Sequence, residues 1–266
     1  MGKKCYFDKF YTNPKVVKDL MKFIDLSSYD LIIEPSAGNG SFSNQINGYN
    51  LISLDLAPES ENIIQQDWFE YKIPVDYKNV LIIGNPPFGE RNKLSKQFIQ
   101  HTLSFNNVKT IAFVLPNVYK KHTNQKIFPK NWRLAQEINL PDNSFLLNGE
   151  PYHVPCSFFI WTQYQGLKDL RFKEELYKTH PDFYFSDESN ADFFVMGASP
   201  TVIKSVEEVA TTNRGYYIKS NIDPEKLKSF IKNINWTKFG NSSANGGVSW
   251  FSKPEFIKIY DENKPI

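Results

Sequence analysis

The sequence predicts an α/β fold built on a mostly parallel sheet. Three observations carry this reading. Short apolar runs without polar alternation recur through the first 165 residues, as they do in strands buried on both faces. Stretches with helical spacing stand before or between several of them. Turns rich in glycine or proline follow the strand ends, which is where open α/β sheets place their ligands.

The elements follow in chain order. Residues 14–25 (PKVVKDLMKFID) put Val16, Val17, Leu20, Met21, Phe23 and Ile24 at helical spacing, after Asn13 as N-cap and Pro14 as a pre-set first turn. Leu31–Glu34 reads as a buried strand, followed by a Gly-rich turn and the start of a helix. LISLDLAP is a second strand ending at Asp55, and ENIIQQDWF a short third one ending near Asp67. NVLIIGNPPF is a fourth, followed by a helix with apolar positions at Leu94, Phe98, Ile99 and Leu103. TIAFVLP is a fifth. AQEINLP and VPCSFFIWTQ are a sixth and a seventh, too close together for a crossover helix, which suggests a hairpin at one sheet edge.

After Gly166 the composition changes. KDLRFKEELYKTHPD is charged and helix-like. DFFVMGAS, GYYIKS and VSWFSKPEFIKIY read as short strands, and DPEKLKSFIKNINW as a helix opened by Asp223-Pro224. NSSANGGVSWFSKPEF, with its turn-rich centre, reads as a β-hairpin. The expected division is therefore 1–166 and 167–266.

Several classes are excluded by composition. Cys5 and Cys156 are the only cysteines, and with four histidines they give neither a disulfide scaffold nor a zinc framework. No metal is expected. No apolar stretch approaches the roughly 20 residues a bilayer needs, and MGKKCYFDKF has no apolar leader core. A soluble intracellular protein, with no membrane partner, is the expectation.

The net charge of +2 hides an asymmetry. Residues 91–133 hold nine basic side chains, among them Lys120, Lys121, Lys126, Lys130 and Arg133, and no acidic one. Such a field attracts phosphates, although a solvated helical face would look the same. Tyr119, Phe128 and Trp132 interleave with these cations, a composition suited to unstacked bases.

Two turns carry the chemistry. EPSAGNGSF (Glu34–Phe42) follows a strand, and its glycines allow close backbone approach to a ligand. It is neither a Walker loop nor the dinucleotide GxGxxG, since only Gly38 and Gly40 are present. Asp55, ending the next strand, can accept from both hydroxyls of a ribose. Asp67 can accept from an adenine amino group, with Trp68 beside the ring. A tight turn with acidic strand ends is the structural alternative.

The second turn is NPPF (Asn85–Phe88). EPSAGNGSF resembles the first motif of S-adenosylmethionine-dependent methyltransferases that modify amino groups, and NPPF resembles their catalytic motif. FYTNP (Phe10–Pro14) is similar to the N-terminal motif of the γ-type adenine-N6 DNA enzymes, with Asn13 where that family often has Pro or Lys. The resemblance spans about residues 10–165. It implies a Rossmann-like class I methyltransferase fold, a mostly parallel seven-stranded sheet with an antiparallel edge hairpin; the residues after 166 are read as a small C-terminal α+β lobe, accessory or for target recognition. It implies S-adenosylmethionine as cofactor. Tyr11 and Thr12 would line its methionine end. Glu34, Pro35, Ser36, Ala37, Gly38 and Gly40 would wrap its amino-acid part. Asp55 would hold its ribose, and Asp67 with Trp68 its adenine.

The chemistry of Asn-Pro-Pro-Phe fits that role. An exocyclic amine is a poor nucleophile because its lone pair is delocalised into the ring. Two acceptors aimed at its two N–H groups favour a pyramidal nitrogen with developing positive charge. Asn85 offers a side-chain oxygen and Pro86 a carbonyl; Pro86 and Pro87 fix the local backbone. Phe88 offers a face for a flipped base, and Phe145, in PDNSF, is the candidate for the opposite face. The expected substrate is the N6 of adenine in DNA. RNA, at adenine N6 or guanine N2, is the alternative. A protein glutamine and a non-catalytic binding module are the remaining readings.

Overall fold

Three stretches, Leu31–Ile33, Val80–Ile83 and Ile111–Leu115, have no side chain more than about 1% exposed. Runs with no wet face belong in the middle of a sheet covered on both sides, and that is where the computed structural model, which describes residues 10–236 and 250–264, places them.

The chain up to Arg171 forms one compact unit. Its strands are β1 (Tyr11–Thr12), β2 (Leu31–Glu34), β3 (Leu51–Asp55), β4 (Ile64–Gln65), β5 (Val80–Gly84), β6 (Val108–Pro116), β7 (Arg133–Asn139), β8 (Phe145–Leu147), β9 (Glu150–Tyr152) and β10 (Cys156–Thr162). Its α-helices are α1 (Pro14–Leu20), α2 (Lys93–Leu103) and α3 (His122–Gln125). Seven strands make the main sheet, in the order β4-β3-β2-β5-β6-β10-β7. β4, β3, β2, β5 and β6 pair in parallel. β10 runs antiparallel to both β6 and β7. This is the Rossmann-like sheet the sequence predicts, mostly parallel with an antiparallel edge hairpin. Strand order reverses between β2 and β5, so a crevice opens at the carboxyl ends of those two strands. The Gly-rich turn leaves β2 and Asn-Pro-Pro-Phe leaves β5 at that point.

The crossovers depart from expectation. No α-helix follows the Gly-rich turn; a single 3₁₀ turn, Ser43–Gln45, stands there instead. The links from β3 to β4 and from β4 to β5 are likewise irregular. Gly38, Gly40, Gly48 and Pro74 punctuate these links, and glycine and proline disfavour helix interiors. The third strand shrinks to Ile64–Gln65, both exposed at the sheet edge. α1 stops at Leu20 and continues as one 3₁₀ turn. A second, three-stranded sheet, β1-β8-β9, pairs Thr12 with Phe145 and Phe145 with Tyr152.

The segment that mixes cations with aromatic rings folds its rings inward. Phe128 stacks on Trp161 with ring centroids 3.9 Å apart and planes 5° from parallel. Tyr119, Phe128 and Trp132 are each 2% exposed. Arg171 locks this region: its guanidinium donates to the carbonyls of Phe128 (3.0 Å), Pro129 (3.1 Å) and Trp132 (2.6 Å) and lies 4.9 Å from the Trp161 ring centroid. Asp169 accepts from Leu134 N (3.0 Å), and Leu170 N donates to Leu134 O (2.9 Å). These bonds hold residues 169–171 to the first unit, so the chain divides after Arg171. Arg171→Ala is expected to destabilise this unit by about 3 kcal/mol, because three carbonyls lose a charged donor; a urea midpoint unchanged from wild type would contradict it.

The second unit begins at Phe172. β11 (Phe183–Phe185), β12 (Phe193–Met196), β13 (Ile203–Lys204) and β14 (Gly215–Ser220) form an antiparallel sheet in the order β11-β14-β12-β13, followed by α4 (Pro224–Asn233) and α5 (Lys253–Asn263). One apolar core joins Phe183, Phe193, Val195 and Ile218 to Leu227, Ile231, Phe256 and Tyr260. Two expectations need correction here. The helix-like stretch after Gly166 holds only the 3₁₀ turn Glu174–Tyr177, since its first residues are tied to other segments. KPEFIKIY is helical, not a strand: Ser252 and Glu255 form a reciprocal capping box, and Pro254 sits in the first turn. Most of the proposed hairpin around Gly246 lies outside the described residues.

Candidate active site

A cavity of about 370 Å³ opens where β2, β3 and β5 end. Its walls include Tyr11, Thr12, Glu34, Pro35, Ser36, Ala37, Gly38, Asp55, Asp67, Trp68 and all of Asn85–Phe88. Nearly every residue singled out for the cofactor or for the chemistry therefore meets in one space. Gly40 does not reach the wall; it shapes the turn, donating to Ala37 O at 2.7 Å.

The Gly-rich turn is held by Asp55. Its Oδ2 accepts from Gly38 N (2.8 Å) and its Oδ1 from Ala57 N (2.8 Å). A carboxylate oxygen has further acceptor capacity after one such bond, so Asp55 braces the turn and keeps lone pairs for a ligand. Gly38 adopts φ +54°, and a Cβ there would stand 2.8 Å from Tyr11 Cε1. The Tyr11 ring thus lies directly against the turn, and only glycine permits it. The Tyr11 hydroxyl donates to Glu59 Oε1, whose backbone N–H donates to Gly38 O (3.0 Å). Burial and the Glu59 carboxylate push the Tyr11 phenol well above its usual range, so it stays a neutral donor.

Glu34 ends β2 and is 2% exposed. Its Oε2 accepts from Ser43 N at 2.8 Å. Burial raises its pKa to about 8, against the opposing hydrogen bonds from Ser43. Gly84, at φ +144°, leaves room for it: a Cβ there would meet Glu34 Cγ at 3.2 Å.

The two turns are joined by one bond, Ser36 Oγ donating to Asn85 O at 3.2 Å. Asn85 Nδ2 donates to the carbonyl of Phe10 at 3.1 Å. A carbonyl can only accept, so this contact fixes which end of the amide is which. Asn85 Oδ1 is buried and has no partner. A buried acceptor without a partner costs about 1–3 kcal/mol and calls for an explanation. Phe88, 8% exposed, forms part of the wall. Its carbonyl accepts from Leu94 N (3.2 Å) and Ser95 N (3.3 Å), which fastens the turn to α2.

On the far side, Asp67 Oδ1 accepts from Phe69 N at 2.8 Å. Trp68 is 1% exposed and edge-on to His101, with centroids 5.2 Å apart. Its Nε1 has no partner, and neither has Thr12 Oγ1. The accessible ring is Phe69, 37% exposed and edge-on to Phe98 at 5.1 Å.

Phe10, Phe69 and Phe98 are wall residues that sequence reasoning passed over. Phe10 and Phe69 flank residues that were chosen, and Phe98 was read only as the apolar face of a helix. None of Lys120, Lys121, Lys126, Lys130 and Arg133 lines the cavity. Lys120 bonds Asn139 Oδ1 and lies 3.4 Å from Glu137, and Arg133 donates to Gln165 at 2.8 Å. Lys126 and Lys130 are exposed. Phe145 is fully buried between its partners on β1 and β9 and is absent from the wall. The base-stacking faces expected at Tyr119, Phe128 and Trp132 are in the core instead.

Among the described residues, no cluster of three or more His, Cys, Asp or Glu could hold a metal ion, and no helix is long and apolar enough to cross a membrane.

No protein-family model and no curated protein sequence matches the chain. Solved structures with a related fold include the 23S rRNA methyltransferase ErmE, at 9% identity over 96% of this chain and 99% of that one, with a TM-score of 0.45. A dimethyladenosine transferase from Plasmodium falciparum matches at 13% identity over 57% of this chain and 62% of its own, with a TM-score of 0.42. The N-methyltransferase NodS from Bradyrhizobium japonicum matches at 9% identity over 55% and 93%, with a TM-score of 0.38. All three scores lie below 0.5; what defines the fold here is the strand order itself.

Proposed function

We propose that this protein transfers a methyl group from S-adenosylmethionine to the exocyclic N6 of adenine in DNA. One observation carries the reading. The Asn85 amide is held by the Phe10 carbonyl with its own oxygen left unpartnered, in the wall of the cavity that the Gly-rich turn also lines. An acceptor presented in that way suits an N–H donor on a substrate.

The residues present fit the cofactor. Thr12 Oγ1 is an orphaned buried hydroxyl in the wall, Asp55 keeps acceptor capacity for hydroxyls, and Phe69 and Phe98 give an apolar wall on the Asp67 side. When bound, S-adenosylmethionine supplies a methyl group on a positively charged sulfur. The chain's part is to bind, to orient and to accept hydrogen bonds. Asn85 Oδ1 and the Pro86 carbonyl take the two N–H groups of the amine and favour its pyramidal form. Phe88 offers its ring to the base. Positioning of this kind can supply a large part of a transfer barrier. The basic stretch between Arg91 and Arg133, with Lys126 and Lys130 exposed, suits a phosphate backbone. The unit from Phe172 onward is assigned an accessory role in target recognition.

The test is transfer of labelled methyl to duplex DNA, single-stranded DNA, RNA and a glutamine-bearing protein. N6-methyladenine in DNA is the expected product; label in RNA alone would overturn the choice of DNA, and no label in any nucleic acid would overturn the proposal. Asp55→Asn turns an NH2 group toward one of the two backbone N–H groups it now serves. Cofactor affinity should drop by about tenfold or more, as loss of a charge-assisted hydrogen bond implies. Calorimetric titration reads it, and unchanged affinity would rule the brace out.

A further inference from the structure

We infer that Tyr152 is a positioning residue for the Asn85 amide, acting through Phe10; the link to catalysis rests on the methyl-transfer reading above, whereas the link to the amide does not.

The chain of contacts is short. Asn85 Nδ2 donates to Phe10 O at 3.1 Å, and this bond sets the amide's orientation. Phe10 itself lies just outside β1, which is two residues long. Phe10 is therefore held chiefly by the pairing of residues 11–13 and by the contact of its own ring. Asn13 N donates to Ser144 O (2.8 Å), and Tyr11 and Thr12 pair with Leu146 and Phe145. The Phe10 ring stacks on Tyr152, with centroids 5.1 Å apart and planes 15° from parallel. Tyr152 ends β9, opposite Phe145, so the stack spans the three-stranded sheet and closes it over Phe10.

Tyr152 is 41% exposed. An exposed ring at a strand end contributes little to a core, yet this one touches the residue whose carbonyl orients Asn85. Without the stack, the Phe10 side chain loses its aromatic neighbour among the described residues; the Tyr11–Leu146 pairing still holds one side of the Phe10–Tyr11 peptide, but the residue itself can tilt, which loosens the carbonyl's bond to Asn85. The amide could then rotate about χ2 and present NH2 where the oxygen should be. Two like-polarised N–H groups facing each other would block an amine substrate. The hairpin β8–β9 therefore serves the site at one remove: it contributes no atom to the chemistry but sets the direction of one.

The test reads the amide directly. In ¹⁵N-labelled protein the Asn85 side-chain NH2 resonances are assigned by their loss in Asn85→Ala. Their hydrogen exchange should be slowed in wild type, accelerate about tenfold in Tyr152→Leu, and return to the wild-type rate in Tyr152→Phe, which keeps the stack. The backbone spectrum of Tyr152→Leu should otherwise stay native-like. In the transfer assay with adenine-containing duplex DNA, Tyr152→Leu should lower kcat about tenfold with cofactor affinity unchanged, and Tyr152→Phe should restore it. Unchanged amide exchange in Tyr152→Leu overturns the inference, as does failure of Tyr152→Phe to restore it. Should wild type transfer no methyl to any nucleic acid, the proposed function fails, while the exchange data still decide the role of Tyr152.

Discussion

Replacing Asn85 by alanine is expected to lower methyl transfer by about 10²–10³-fold, the usual cost of removing one preorganised polar group from a transition state. Cofactor affinity should stay within about threefold. The separation follows from the geometry. Ser36 bonds to the backbone oxygen of Asn85, not to its side chain, so alanine keeps the link between the two turns. Asn85→Asp is the sharper variant. It retains an acceptor for the substrate, but sets a carboxylate oxygen against the Phe10 carbonyl in place of a donor 3.1 Å away. Two facing acceptors repel in a partly buried place. Aspartate should therefore fail to rescue transfer, and a variant with near wild-type kcat would show that the Phe10 contact does not orient the amide. Single-turnover measurements with saturating cofactor separate this loss from any loss in binding.

What could be read from the chain beforehand divides along physical lines. LIIE, VLIIG and TIAFVLP announced central strands because no alternation interrupts them, and a strand buried on both faces leaves that mark. The meeting of the two turns in one cavity followed, since the Gly-rich turn and Asn-Pro-Pro-Phe close two such strands. The helices expected between strands did not follow. Residues 35–50 place Phe42, Ile46 and Tyr49 at helical spacing, but Gly38, Gly40 and Gly48 interrupt the stretch, and Pro58 breaks residues 56–63. The charged stretch after Gly166 had helical composition, yet Asp169, Leu170 and Arg171 are tied to residues 128–134; tertiary bonds outweigh propensities of a few tenths of a kcal/mol per residue. KPEFIKIY carried a readable signal, Ser252-x-x-Glu255 with Pro254 and apolar Phe256, Ile257, Ile259 and Tyr260, but its richness in aromatic and β-branched residues masked it. The basic segment shows the limit of composition. Tyr119, Phe128 and Trp132 interleave with cations in sequence, but nothing in their spacing tells that their rings face the core while Lys126 and Lys130 are exposed.

Glu34 carries the second large effect, a dependence of stability on pH. Its carboxyl is buried, and desolvation raises its pKa from 4.5 to about 8 in the folded protein. Between those values the folded state holds a proton that the unfolded state has released. The contribution of this group to stability is therefore complete below about pH 4.5, falls as pH rises, and is gone above about pH 8. Each pH unit well inside that window is worth about 1.4 kcal/mol, and the slope flattens near the folded pKa, so Glu34 alone should remove about 2 kcal/mol between pH 6 and pH 8. Glu34→Gln keeps the shape and an oxygen to accept from Ser43 N, and does not titrate. Its denaturant midpoint should stay nearly level over this range, while that of the wild type declines. Parallel curves for the two proteins would show that Glu34 is already ionised in the fold. The same proton links to binding. A ligand carrying positive charge in this cavity favours the carboxylate, so S-adenosylmethionine should bind more tightly as pH rises toward 8 and should release a proton as it binds. Calorimetry in two buffers of different ionisation enthalpy measures that proton, and Glu34→Gln should abolish it.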